Sequence, residues 1–284
     1  MPISRVARVV GFSLFLFATL VSVPAFAQSD FSGMWGQRYF EDQEERAPGG
    51  ELGDFTGLPL NDAARLRANS WDAALYGIAE WQCRPHSALY MWRSVHPVRI
   101  WNELEPITGE IIAIHANFQD LLERVVYMDG RAHPPEEGPH TWTGFSTGKW
   151  EGDMLTVNTT HLKEYIIRRD GVPVSDRTTM TEHWMRHGDF LTVVQVVTDP
   201  VYLTEPFIQS TDFILDTHLQ FVPELCEIEE ETNHPHGWVP HRLPGTVHDS
   251  EDFAKKHSLP VEAVQGGAET MYPDYRAKLK QVKP

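Results

Sequence analysis

Beyond Ser94 the chain is divided into eight short runs, 96–104, 110–118, 121–128, 141–150, 154–161, 178–185, 190–198 and 213–221. Each is 8 to 10 residues long, rich in Val, Ile, Thr and aromatic residues, and bounded by Gly, Asp, Asn or Pro. Runs of that length and composition, evenly punctuated, suit the strands of an antiparallel all-β sandwich or barrel. Several links carry hairpin chemistry: Thr108-Gly109, Asp129-Gly130, Glu151-Gly152-Asp153, Asp170-Gly171 and Gly188-Asp189. Strands joined by tight turns pair with their sequence neighbours, so the expectation is an all-β fold, an antiparallel meander β-barrel. Only 61–78, with Asn61 as N-cap, and 249–263 read as helix. The stretch 47–59 is a Pro/Gly-rich loop, the tail from about 227 is irregular, and 28–284 reads as one domain.

The first 27 residues stand apart from this pattern. Arg5 and Arg8 form a positive region, residues 9–21 are almost uninterruptedly apolar, and Ala25-Phe26-Ala27 is a small-x-small cleavage site. The apolar run falls short of the ~18 residues a membrane span requires, and no other run approaches that length. Residue 28 is Gln rather than Cys, which argues against lipid attachment. A signal peptide cleaved near Ala27 implies a periplasmic or secreted protein with no membrane span. In that oxidising setting Cys83 and Cys226, 143 residues apart, are expected to pair.

The formal charge is −16, and losing residues 1–27, which hold two basic and no acidic residues, makes it −18 over 257 residues. Affinity for nucleic acid comes from a basic surface and its counterion release, so no nucleic-acid partner is expected.

The mature chain opens Phe31-Ser32-Gly33-Met34-Trp35. A Gly-x-Trp at the first strand resembles the N-terminal signature of lipocalin-type and related calycin barrels. Further along come Asp129-Gly130-Arg131-Ala132-His133-Pro134 and Trp150-Glu151-Gly152-Asp153-Met154-Leu155-Thr156-Val157, with Glu182 and Asp199-Pro200 beyond them. This pattern, spread over 31–207, is similar to a group of exported bacterial proteins of uncharacterised function. The resemblance implies export and a lipocalin-like barrel, and it implies no reaction, because a fold does not carry a chemistry with it.

The chemistry has to be sought in individual residues. In 154–161, Leu155, Val157, Thr159 and His161 share one face, which puts His161 at the end of an apolar wall, where an imidazole can titrate near neutrality. A two-residue turn at Gly188-Asp189 pairs His187 with Phe190 and Glu182 with Gln195, with Trp184, Met180, Val193 and Val197 on the same face. Glu182 is then either a carboxylate of raised pKa suited to acid–base work or the partner of a buried arginine, Arg124 or Arg131. Asp129 and His133 suggest a carboxylate-supported base with Arg131 as an oxyanion clamp, against plain turn chemistry with a solvated His133. Ser146 in Gly144-Phe-Ser-Thr-Gly148 lacks the strand-turn-helix setting of a nucleophile elbow.

His234, His236 and His241 offer ligands for a metal ion in the tail, although no acidic residue falls at a diagnostic spacing; no other cofactor is expected. The 9 tryptophans exceed the needs of a core, so some should line a cavity. The favoured function is a small-molecule enzyme, an isomerase, lyase or hydrolase, acting by acid–base chemistry on a hydrophobic or aromatic substrate in the barrel, with His133, Asp129, Arg131, Glu182 and His161 as its residues. The alternatives are a non-catalytic periplasmic carrier of such a molecule and a metal-dependent enzyme using the tail histidines.

Overall fold

The computed structural model describes residues 28–38, 50–93, 97–118, 122–168, 170–220, 226–229, 237–243 and 245–279. The segment read as a signal peptide, and His234 and His236 of the tail, lie outside these residues. Nine strands close into a barrel: β1 (Gly33–Gln37), β2 (Val98–Leu104), β3 (Ile111–Phe118), β4 (Leu122–Tyr127), β5 (Phe145–Glu151), β6 (Met154–Thr160), β9 (Thr179–His187), β10 (Phe190–Thr198) and β11 (Phe207–Leu215). Between β6 and β9 a small hairpin, β7 (Tyr165–Ile166) and β8 (Pro173–Val174), stands outside the ring.

Around the barrel the order is β1-β11-β10-β9-β6-β5-β4-β3-β2, with β2 returning to β1. A closed ring of strictly alternating strands needs an even number, so nine strands oblige at least one parallel pair. That pair is β4–β5, joined through Val126↔Ser146 and Tyr127↔Thr147, and the other eight junctions are antiparallel. Parallel neighbours cannot be linked by a tight turn. Asp129-Gly130 therefore does not close a hairpin as its sequence suggests; it opens a crossover that runs from Met128 to Gly144 along the end of β6, where Thr141 bridges to Leu162.

The β9–β10 hairpin has the register that its two-residue turn dictates, with His187↔Phe190 and Glu182↔Gln195. Alternate residues consequently face inward: Met180, Glu182 and Trp184 on β9, and Leu191, Val193, Gln195 and Val197 on β10, all buried. Strand β11 starts earlier than its hydrophobic pattern predicts, at Phe207 rather than 213. The strand ends at Leu215 rather than 221, and its polar Gln209 is buried and hydrogen-bonds Gln195 at 2.6 Å.

The interior is filled by side chains. A single helical turn, Ala88–Met91, is entirely buried and delivers Trp92 to the centre, where its ring meets Trp184 and Phe118 edge-on at 5.0 Å and Phe213 at 5.6 Å. Trp35, of the opening Gly-x-Trp, is also fully buried, and its indole N–H donates to the Phe31 carbonyl at 2.8 Å.

Both expected helices form but break. Asn61 caps Asp62–Asn69 by accepting from the Ala64 N–H at 3.0 Å, as read from the sequence. The helix then stops because Asp72 captures the Ala74 N–H at 3.0 Å and starts a separate 3₁₀ segment, Ala73–Gly77. In the same way Ser258, at φ 55°, and Pro260 divide Asp249–His257 from Val261–Val264. Cys83 and Cys226 form the expected disulfide across 143 residues. Among the described residues no helix is long and apolar enough to cross a membrane.

Candidate functional site

Glu182 is held in the middle of the barrel, with no side-chain exposure, by Arg124 of β4, likewise inaccessible. Arg124 Nη1 donates to Oε1 at 2.9 Å, Nη2 donates to Oε2, and the Trp92 indole N–H donates to Oε1. The remaining guanidinium capacity goes to Thr159 Oγ1 at 2.8 Å and to Ser146 Oγ at 3.2 Å from Nη2 and 3.3 Å from Nε. Of the two roles open to Glu182 in the sequence, this is the buried ion pair. Ser146, inside a strand and bonded to Arg124 and Thr159, has no nucleophile-elbow setting. Neither Arg124 nor Glu182 lines any of three clefts of about 400, 650 and 430 Å³.

The crossover separates the residues that its sequence groups together. Asp129 turns back on Arg131, accepting from Nε at 2.9 Å and from Nη2 at 2.5 Å, and both side chains are partly exposed. That pairing holds the Asp129 carboxyl below the usual carboxylate range, and Arg131 also lies 3.8 Å over the Tyr127 ring. No Asp129–His133 couple forms. His133 instead lies between two threonines on the outside of the barrel, with Nε2 2.9 Å from Thr147 Oγ1 and Nδ1 2.7 Å from Thr160 Oγ1.

His161 also departs from its expected place. The strand ends at Thr160, and His161 adopts a left-handed backbone, φ 57°, which a residue other than glycine takes at a cost of roughly 1 kcal/mol or more. This turns the ring away from the inner wall of Leu155, Val157 and Thr159, so that Nδ1 meets Thr160 Oγ1 at 2.7 Å and Nε2 meets the Pro135 carbonyl at 2.8 Å.

Proton positions follow from what each atom can do. The Pro135 carbonyl only accepts, so His161 carries its proton on Nε2 and, when neutral, accepts at Nδ1 from the Thr160 hydroxyl. Thr160 then accepts from His133 Nδ1–H, and His133 Nε2 accepts from Thr147. The result is a one-way chain, Thr147–His133–Thr160–His161–Pro135, that needs both rings neutral. Burial, followed by the proximity of His161, pushes the His133 pKa below its ordinary value, in keeping with that state.

Beside this chain stands His140, which nothing in its sequence neighbourhood singled out. Its Nδ1–H donates to the Leu162 carbonyl at 2.9 Å, which fixes the tautomer and leaves Nε2 with a lone pair and no partner among the described residues. Its ring lies 5.2 Å from that of His161. Both histidines line the cleft of about 430 Å³, together with Glu136, Asp176 and Arg177. The far wall is rigid because buried Asp199 ties down the loop carrying Asp176 and Arg177. It accepts from Ser175 N and Oγ at 2.6 and 2.9 Å, from Thr178 Oγ1 at 2.9 Å and from Val201 N at 2.8 Å. Arg177 has no ion-pair partner among the described residues and is exposed.

Of the three tail histidines read as metal ligands, only His241 is described; its Nδ1–H donates to the Val239 carbonyl at 2.9 Å. Among the described residues no three His, Cys, Asp or Glu side chains are grouped to hold a metal ion. No protein-family model, curated protein or solved structure matches the chain.

Proposed function

We propose that this is an extracytoplasmic enzyme that moves a proton on a small molecule, in the cleft between the crossover and the Asp176–Arg177 loop rather than inside the barrel. The carrying observation is His140, a cleft-lining imidazole with its tautomer fixed by a backbone carbonyl and its Nε2 free, which is the arrangement of a general base. Arg177 opposite suits a substrate whose carbonyl or carboxylate oxygen gains negative charge in the reaction. Glu136 and Asp176 complete the acid–base complement, and the His161 chain supports the neighbouring wall. The N-terminal segment and the disulfide favour an exported location.

The test is untargeted. Purified mature protein is incubated with metabolite extracts, and compounds consumed or formed are followed by mass spectrometry, alongside His140→Gln. The expected outcome is a turnover reduced about 10²–10⁴-fold by His140→Gln, with KM little changed and the melting temperature held. Compounds retained but never converted indicate a carrier, and turnover indifferent to His140→Gln overturns the assignment.

A further inference from the structure

A second cleft, of about 400 Å³, shares no residue with the first. Its walls are aromatic: Trp71, Trp81 and Tyr165 line it, with Arg84, Arg67 and His241 supplying cationic or protonatable groups. The rings are seated by built features. Trp71 lies directly on the backbone of Gly171, the turn of the β7–β8 hairpin, where an added Cβ would stand 2.2 Å from the ring, so only glycine fits. Trp71 meets Tyr76 and Trp81 edge-on at 5.7 Å each, and Trp81 lies nearly parallel to Tyr165 at 6.5 Å.

The segment carrying Trp81 and Arg84 is anchored from outside. Cys83, between them, is bonded to Cys226. Gln82 clamps the same strand of tail, its Nε2 donating to the Glu229 carbonyl at 2.5 Å and its Oε1 accepting the Glu229 N–H at 2.7 Å. Arg84 is thereby held with its guanidinium 3.7 Å over the Trp81 ring and 5.5 Å from that of Trp142. No carboxylate lies within ion-pair reach of it among the described residues, in a chain where acidic residues outnumber basic ones 40 to 24. By contrast Arg67, on the same cleft, has Glu164 at 3.3 Å. Partial burial pulls the Arg84 pKa down, outweighing the opposing attractions of Tyr165 and Glu80.

We infer that this cleft binds a planar aromatic carboxylate, its ring among Trp71, Trp81 and Tyr165 and its carboxylate on Arg84. The volume suits a one- or two-ring acid, and a stacked guanidinium with free donors is the group best matched to a carboxylate. The site is independent of the proton-transfer cleft and does not rest on that reading.

The test uses mature, disulfide-intact protein and two probes of one shape, 2-naphthoate and neutral 2-naphthamide, followed by tryptophan fluorescence and calorimetry. One saturable site is expected, with naphthoate bound about 10-fold or more tightly than the amide, the scale of a charge-assisted hydrogen bond. Arg84→Gln should abolish that preference while leaving 2-naphthamide within about twofold, and Arg84→Lys should keep part of it. Trp81→Leu should weaken both probes. Absence of a saturable site, equal affinity for the two probes, or a preference untouched by Arg84→Gln overturns the proposal.

Discussion

The barrel interior and the rim around His140 both gather titratable groups, yet they use them in opposite ways. Inside, Arg124 and Glu182 meet through several hydrogen bonds, have no solvent exposure, and spend their remaining capacity on Ser146, Thr159 and Trp92. At the rim, His140 has one nitrogen fixed and the other open, Arg177 is unpaired among the described residues, and His161 holds a left-handed backbone. A saturated group can hold a fold together, but it has nothing left for a substrate. An unsaturated group beside solvent costs little to keep and is available for chemistry. Polar residues in a barrel are therefore better sorted by the capacity they have left than by their depth.

The largest effect expected from this contrast is on stability. Glu182→Gln or Arg124→Met leaves its partner buried and uncompensated, and each should destabilise the fold by about 3–5 kcal/mol in urea titration. Replacing both with apolar residues should restore much of the loss, which a double-mutant cycle reads as strong coupling. A single variant that costs less than about 1 kcal/mol would mean that the interior pair is not the saturated centre described. The matched substitution at the rim, His140→Gln, should do the reverse: turnover falls about 10²–10⁴-fold, while stability stays within about 0.5 kcal/mol.

The sequence exposed the interior more fully than the rim. Strand period and the two-residue turn at Gly188-Asp189 were enough to place Glu182 opposite Gln195 on the buried face, because both are local properties. Its partner was legible only as a choice between arginines, since β4 lies three positions from β9 around the ring and that distance is not written in any local pattern. The parallel β4–β5 junction was hidden altogether. Asp129-Gly130 has hairpin chemistry, with Gly130 at φ 73° and Asp129 accepting the Arg131 N–H at 3.1 Å, and only the parallel pairing of β5 with β4 rules the hairpin out. His140 was hidden for the same reason: it sits in the crossover that the parallel pair requires, and its tautomer is set by a carbonyl, that of Leu162, just past the end of β6.

Asp170 supplies an intermediate case. It is buried beside Arg168, with Nη2 3.0 Å from Oδ2, but off the direction of a hydrogen bond, and neither carboxylate oxygen has a hydrogen-bonded side-chain partner among the described residues. Burial consequently dominates and pushes its carboxyl up to about 6. A raised carboxyl pKa means that the folded state holds the proton more tightly, so this contribution is present below about pH 4 and lost as pH rises through 6. Relative to Asp170→Asn, the wild type should gain on the order of 3 kcal/mol on acidification from pH 7 to 4. A pH-independent difference between the two would show that Arg168 saturates Asp170 as Arg124 does Glu182.

The smallest effect tests the rim chain itself. His133 has its pKa depressed, first by burial and then by His161, so the folded state disfavours its protonation relative to the unfolded chain. The sign is opposite to that of Asp170: the contribution is complete above the unfolded value of about 6.5 and is lost as pH falls through the lower folded value. Protonation has a specific structural consequence. His133 Nε2 would become a donor and Thr147 would have to rotate its hydroxyl away, while Nδ1–H could still donate to Thr160. His133→Asn should flatten the stability curve below pH 6.5 while sparing the β9–β10 hairpin, and nitrogen chemical shifts should show His133 protonated on Nδ1 and His161 on Nε2 at neutral pH. If His161 proves to be the Nδ1 tautomer, the chain cannot run from Thr147 to Pro135, and the two histidines are then separate supports on either side of Thr160 rather than one relay.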